Sequence, residues 1–403
     1  MSADFKREVL TAFQKVSPSK IAIEFQEEFV KYQENQYNLF FQKLKFPPEL
    51  FNGKRVIDFG CGTGEMDIIL ANWGANIEGF DFNSISINRA NELKNYFQLS
   101  SKISFAVGDI DTHPFKEADY DISVSFGVIA HVPDQQNMFR RMANAIPKGG
   151  FVILGFIEDS GLIQRLMHRA IVLANSDKSD AEIFRIAKTC FSEHIERSVK
   201  FGGRTADSVI NDYLVNPHYI GISTQNLIKW ATQNGLEYYS GVPNLDMPFL
   251  VDSPYFNVIS KNSVIYEMYF SLLRLRWLYA QTEDSDFFGK LVETLPKVDG
   301  DIEMLFISLN NVLQDRDFSD KTYASIQGKL KDVERGVNIL VSDISECITQ
   351  NLSQLNTELL RLLEMIMLKN RENRDFDLSQ VGRKLFNGYN GLGTSYVVFH
   401  KLR

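Results

Sequence analysis

Cysteine is scarce in this chain: three in 403 residues, Cys61, Cys190 and Cys347, widely separated and in no C-x-x-C or Cys/His pattern. That excludes a disulfide framework and a zinc site of ordinary spacing, leaves no metal site expected, and points to a reduced, cytoplasmic protein. Long apolar runs are missing too. No segment approaches the roughly 20 apolar residues that a membrane-spanning helix needs, and Met1-Ser2-Ala3-Asp4-Phe5-Lys6-Arg7-Glu8 has no apolar signal core, so a soluble protein is expected. Positive charge is not in excess either. With 43 Lys and Arg against 51 Asp and Glu, a net charge of -8, nucleic acid is disfavoured as a partner, because phosphate binding is driven by cations that displace counterions.

What the chain does have is Val56-Ile57-Asp58-Phe59-Gly60-Cys61-Gly62-Thr63-Gly64-Glu65-Met66, an apolar run, an acid and glycines at alternate positions. It reads as a strand, a tight turn and a helix start, where missing Cβ atoms let a ligand lie against backbone N–H groups. The spacing then selects among ligands. A dinucleotide fingerprint would carry glycine where Glu65 stands, and a phosphate loop would end in G-K-[ST] where Gly64-Glu65-Met66 stands. Acids on both sides of the turn suit a ligand with positive charge. Asp81, at the end of the next strand (Ala75–Asp81), sits where an α/β sheet places ligand groups, and its carboxylate can accept both hydroxyls of a ribose. Asp109 ends a third strand after Ile103-Ser104-Phe105-Ala106-Val107. Asp121 to Ile129 supplies a fourth strand and its exit, and Phe151 to Phe156 a fifth.

The segment Asp58 to Gly64 resembles the first motif, [DE]-x-G-x-G-x-G, of the class I S-adenosylmethionine-dependent methyltransferases. The resemblance implies a Rossmann-like α/β fold, a seven-stranded mostly parallel sheet with helices on both faces, and S-adenosyl-L-methionine as cofactor. It also implies that Asp58, Gly60, Cys61 and Gly62, then Asp81 and Phe82, then Asp109 and Ile110, and finally Phe126 surround that cofactor. His131, the one titratable group besides acids near the fourth strand's exit, is the candidate base, since a neutral imidazole can take a proton from an acceptor hydroxyl. The alternative is that it only buttresses its loop.

The remaining chain is assigned around that frame. Residues 1–52 read as a helical cap that would bring Tyr32 or Tyr37 near the ligand or simply pack them. Residues 53–156, 223–242 and 391–403 make the cofactor-binding domain. Residues 157–222 are a lid insertion in which Arg204, His218 and Tyr219 are candidate acceptor-binding residues, with a structural arginine and a packed Tyr-His pair as the bland reading. Residues 243–390 are a helical insertion: an apolar helix over 264–278, a shorter one from Phe287 to Leu295, and, with no proline after Pro296, one long amphipathic helix from Val333 to Ile366. Its apolar stripe allows a homodimer but more often means packing within one chain. The Thr394–His400 strand is expected antiparallel between the fifth and sixth. The leading functional reading is transfer of a methyl group to oxygen or nitrogen of a small-molecule or sugar acceptor; the alternatives are an RNA or protein methyltransferase and a cofactor-binding scaffold.

Overall fold

The computed structural model describes residues 2–15, 18–19, 21–175, 179–202, 205–216, 218–246, 261–278, 286–341, 357, 360–361, 363–367 and 394–402. Helices α1 (Ser2–Gln14), α2 (Ile21–Glu24) and α3 (Gln26–Asn38) precede β1 (Arg55–Phe59), α4 (Glu65–Asn72), β2 (Asn76–Asp81), α5 (Ser84–Tyr96) and β3 (Ile103–Val107). There follow β4 (Ile122–Phe126), α6 (Gln135–Ala145), β5 (Phe151–Ile157), α7 (Asp159–Asn175), α8 (Asp180–Gly202), α9 (Ala206–Ile210) and α10 (Thr224–Gln233). The chain ends with β6 (Leu236–Val242), α11 (Val264–Leu278), α12 (Asp286–Asp315), α13 (Asp320–Val341) and β7 (Thr394–Lys401).

The strands form one sheet in the order β3-β2-β1-β4-β5-β7-β6. All pairs are parallel except those of β7, which runs antiparallel to both β5 and β6. Alternating side chains serve the two faces. Ile57, Phe59, Val152, Leu154, Val397 and Phe399 pack on one side, against α6 and α10, while Val56, Val124, Ile153 and Val398 pack on the other, against α4 and the Phe40, Phe46 and Phe51 rings. Several helices begin on a side-chain cap. Asn83 accepts from the Ile85 N–H, Asp134 from Asn137 and Ser223 from Asn226, each stabilising its helix by about 1 kcal/mol.

A third core lies outside the sheet. Residues of α7, α8 and α9 (Leu166, Ile186, Ile210) share it with Ile302, Leu309 and Leu330 of α12 and α13, so chain from either side of β6 packs together. The 30-residue helix α12 corrects one expectation, a short helix closing near Leu295, because it continues through Pro296. A proline inside a helix costs roughly 3 kcal/mol, and the burial of Val298, Ile302, Leu305 and Leu309 beyond it more than offsets that. Of the Val333–Ile366 stripe, Val333 and Ile366 are buried in this same core. Ile344, Ile348, Leu352, Leu355 and Leu359 lie outside the described residues, as do Cys347 and the 387–393 glycine-rich turn.

One ionic cluster fastens the helical core to the sheet. Arg274 of α11, 5% exposed, donates to Asp159 at the start of α7 (3.0 Å) and to Asp299 of α12 (2.7 Å). The neighbouring Glu158, pushed up to about 8 by burial and by Asp159, accepts from the N–H of Thr224 (2.9 Å). Removing the cation would leave two carboxylates buried without a counter-charge. Arg274→Ala should therefore lose about 3–5 kcal/mol of stability in a urea melt. A loss under 1 kcal/mol would show that water reaches the cluster.

Candidate functional site

The carboxyl ends of β1 to β4 form one wall of a cleft of about 230 Å3. Its floor is the glycine turn after β1. Gly60 has φ +86°, and a Cβ there would meet Val128 Cγ2 at 2.6 Å, so only glycine fits. A Cβ on Gly62 would meet no atom within 4 Å, which leaves bare backbone facing the cleft. The N–H groups of Gly60 and Cys61 both donate to the Phe80 carbonyl (2.9 and 3.1 Å), tying the turn to β2.

Asp81 is held from both sides. Its Oδ2 accepts from the Gly62 N–H (3.1 Å) and its Oδ1 from the Asn83 N–H (2.8 Å), so the carboxylate is oriented while each oxygen keeps accepting capacity. Burial raises its pKa, and the same two N–H groups oppose the rise. Behind the turn lies a buried acid pair. Burial pushes Asp58 up to about 7, with the charge of Asp81 adding to it, and Asp67 is raised well above the carboxylate range by burial and by Asp58. The pair therefore carries less than two negative charges near pH 7.

The opposite wall is α1. Lys6, Val9 and Phe13 line the cleft from it, and the Lys6 Nζ reaches Asp109 Oδ2 at 2.8 Å and Asp111 Oδ2 at 2.6 Å. Tyr32 and Tyr37, the ring candidates from the N-terminal segment, instead pack beside Phe29 and Phe41 and do not line the cleft.

His131 closes the far end. It is the last residue of a single helical turn after β4, and its Nδ1 lies 2.9 Å from the His218 carbonyl and 3.2 Å from the Asn216 amide nitrogen. A carbonyl can only accept, so the shorter contact places the proton on Nδ1 and the lone pair on Nε2. Burial pulls the imidazole down to about 4, the field of Asp212 opposing and those of Arg165 and Arg169 adding. The ring is therefore neutral near pH 7. Phe13 meets its edge at 5.1 Å and Tyr219 at 4.4 Å between centroids.

Gly60, Gly62, Asp81, Phe82, Asp109, Ile110, Phe126 and His131 thus share one cleft. Asp58 and Cys61 lie off its wall, Asp58 3% exposed and the Cys61 Sγ turned to the Gly62 carbonyl at 3.9 Å. His218 lies off it too, stacked on Phe5 at 3.9 Å with Nε2 2.7 Å from Glu8. Tyr219 stands between His131 and Arg165, and Arg204 falls outside the described residues. Sequence reasoning missed Lys6, Val9 and Phe13, for which an ordinary amphipathic helix carries no signal. Among the described residues, no group of three His, Cys, Asp or Glu is placed to hold a metal ion. No described helix is long and apolar enough to cross a membrane.

Residues 50–214, from the turn before β1 through α9, match the family model described as a methyltransferase domain. Over that segment the chain is similar to a methyltransferase domain. Over 102 residues it is 31% identical to the chloroplastic tocopherol O-methyltransferase of Arabidopsis thaliana, covering 25% of this chain and 29% of that protein. Over 112 residues it is 29% identical to the ubiquinone biosynthesis O-methyltransferase of Escherichia fergusonii, covering 27% of this chain and 45% of that protein. The matches therefore span less than half the length of these curated relatives. Among solved structures, an S-adenosylmethionine-dependent methyltransferase from Mesorhizobium loti is similar at 16% identity over 47% of this chain and 77% of that one, with a TM-score of 0.32. The cleft described above lies at the strand ends beside the glycine turn, within the matched segment except for its α1 wall and Pro18 and Ser19.

Proposed function

We propose that the methyltransferase domain binds S-adenosylmethionine in this cleft and methylates oxygen or nitrogen of a small-molecule or sugar acceptor. The observation that carries the reading is the convergence of Gly62, Asp81, Asp109 and Ile110 on one wall with a neutral His131 at the far end. The residues fit the cofactor. Asp81 would accept from the ribose hydroxyls, the bare Gly62 backbone would face the amino-acid part, and Asp109 with the Ile110 N–H would meet the adenine edge, Lys6 sharing the Asp109 carboxylate. When bound, the cofactor supplies a methyl group activated by a sulfonium.

The chain's own contribution is alignment, exclusion of water and one proton site. Val9 and Phe13 cover the cleft, and a dry, oriented reactant pair accounts for most of what such a domain must provide. Nε2 of His131 would take the acceptor's proton. The small-molecule reading is supported by the curated relatives, a tocopherol O-methyltransferase and a ubiquinone biosynthesis O-methyltransferase. Calorimetric titration with S-adenosylmethionine and S-adenosylhomocysteine tests it: micromolar binding is expected, and none by the wild-type chain would sink the reading. A second test concerns the base. The folded pKa of His131 is lowered from 6.5 to about 4, so the imidazole should stay neutral as pH falls through 6 and protonate only near 4. An NMR titration of its ring protons with a midpoint above 6 would contradict the buried geometry.

A further inference from the structure

Among the described residues that line the cleft are three acids, Asp81, Asp109 and Asp111, and a single cation, Lys6. Lys6 comes from α1, outside the residues that match the methyltransferase model. The helix does not need it as a fastener. Buried Val9 and Ala12 seat α1, with Phe5 stacked on His218 at 3.9 Å, Glu8 2.7 Å from the same imidazole and Phe13 against His131. The Lys6 side chain is 29% exposed, and a part-exposed ion pair adds little to such a seat.

The bonding around Asp109 points to another use. Its Oδ1 accepts from the Asp111 N–H (2.8 Å) and from Lys6 Nζ (3.0 Å), while among the described residues Oδ2 accepts from Lys6 Nζ alone (2.8 Å). Each carboxylate oxygen has two accepting sites, so one remains open, on Oδ2. The ammonium also lies 2.6 Å from Asp111 Oδ2, and the other oxygen of Asp111 accepts from the Asn137 amide (3.1 Å). Two of the three ammonium protons are thereby engaged and one is left. Burial pulls the Lys6 pKa down, but the bonds to the two carboxylates outweigh that and raise it, so the charge persists at neutral pH. This end of the cleft therefore presents one open acceptor and one open donor, fixed to each other. Adenine offers the complement, an amino donor beside ring-nitrogen acceptors, whereas an oxo-purine such as hypoxanthine puts an acceptor where the amino group was. On the binding mode proposed above, Asp81 holds the ribose and the base cannot slide to exchange the two. We propose that Lys6 is a specificity-determining residue of the cofactor cleft, pinning Asp109 as acceptor of the adenine amino group and donating to the ring nitrogen beside it, so that α1 selects adenine over an oxo-purine. The inference rests on the methyltransferase reading of the cleft and deepens it.

The test is calorimetric titration of the full chain with S-adenosylhomocysteine and with its hypoxanthine counterpart, S-inosylhomocysteine. The wild-type chain should bind the adenine compound at least tenfold tighter, because a site built to hydrogen-bond one pattern rejects its reverse. Lys6→Met should weaken that binding at least tenfold and binding of the inosyl compound less than threefold, since the adenine compound alone loses a fixed acceptor and a donor. Lys6→Arg, which keeps the charge and can reach both carboxylates, should retain most of the preference. Lys6→Gln, which keeps one donor without the charge, serves if the Met variant does not fold and should lose preference in the same direction. Equal losses for both ligands would mean that Lys6 only fastens α1; that result, an unchanged preference in the folded variants, or no adenine preference in wild type would overturn the proposal. The two claims separate: binding of S-adenosylhomocysteine with the same preference in every variant sinks only the role of Lys6, whereas a wild-type chain that binds neither compound sinks the cofactor reading and Lys6 with it.

Discussion

Deletion of residues 394–403 is expected to leave a chain that does not melt cooperatively. These residues form β7, which pairs with β5 from Phe151↔His400 to Ile157↔Thr394 and with β6 on its other edge. Removing it strips the hydrogen-bonding edges of both neighbours inside the sheet. It also withdraws Val397 and Phe399 from one face and Val398 from the other, all at most 1% exposed. At about 1.5–3 kcal/mol for each buried side chain, the apolar loss alone is about 5–9 kcal/mol, comparable to the whole stability of an ordinary domain. Circular dichroism and calorimetric melts of the truncated chain would check this. A cooperative transition with cofactor binding intact would mean that β1 to β5 fold without β7.

Asp81→Ala is expected to weaken S-adenosylmethionine binding by about 100-fold or more while the protein still folds. Two charge-assisted hydrogen bonds to ribose hydroxyls, at about 1.5–3 kcal/mol each, set that scale. The same substitution frees the N–H groups of Gly62 and Asn83, which now point at the Asp81 carboxylate, so the glycine turn loses its tether as well. Asp81→Asn keeps one accepting oxygen and should fall between wild type and alanine. Because burial raises the Asp81 carboxyl, wild-type affinity should begin to drop with falling pH above the ordinary carboxylate range. Unchanged calorimetric affinity in the alanine variant would remove Asp81 from the cofactor site.

The sequence by itself determined the strands of the sheet and which of their ends carry the glycine turn and the acids. Local signals sufficed there: the alternate glycines from Gly60 to Gly64, the strand-end positions of Asp81 and Asp109, and the apolar alternation of β1, β5 and β7 each depend on residues close in the chain. A β-branched and aromatic run near the end of the sequence marked β7 as a strand, and its antiparallel place came from the family resemblance. What only the tertiary structure decided involves partners far apart. Lys6 meets Asp109 and Asp111 across about a hundred residues, and no local pattern marks a helix as the second wall of a cleft. Likewise α12 continues through Pro296 because burial against α7 and α13 outweighs a local propensity. The setting of Arg165, over the Tyr213 and Tyr219 rings, likewise exists only once α7 is packed against residues some fifty positions away.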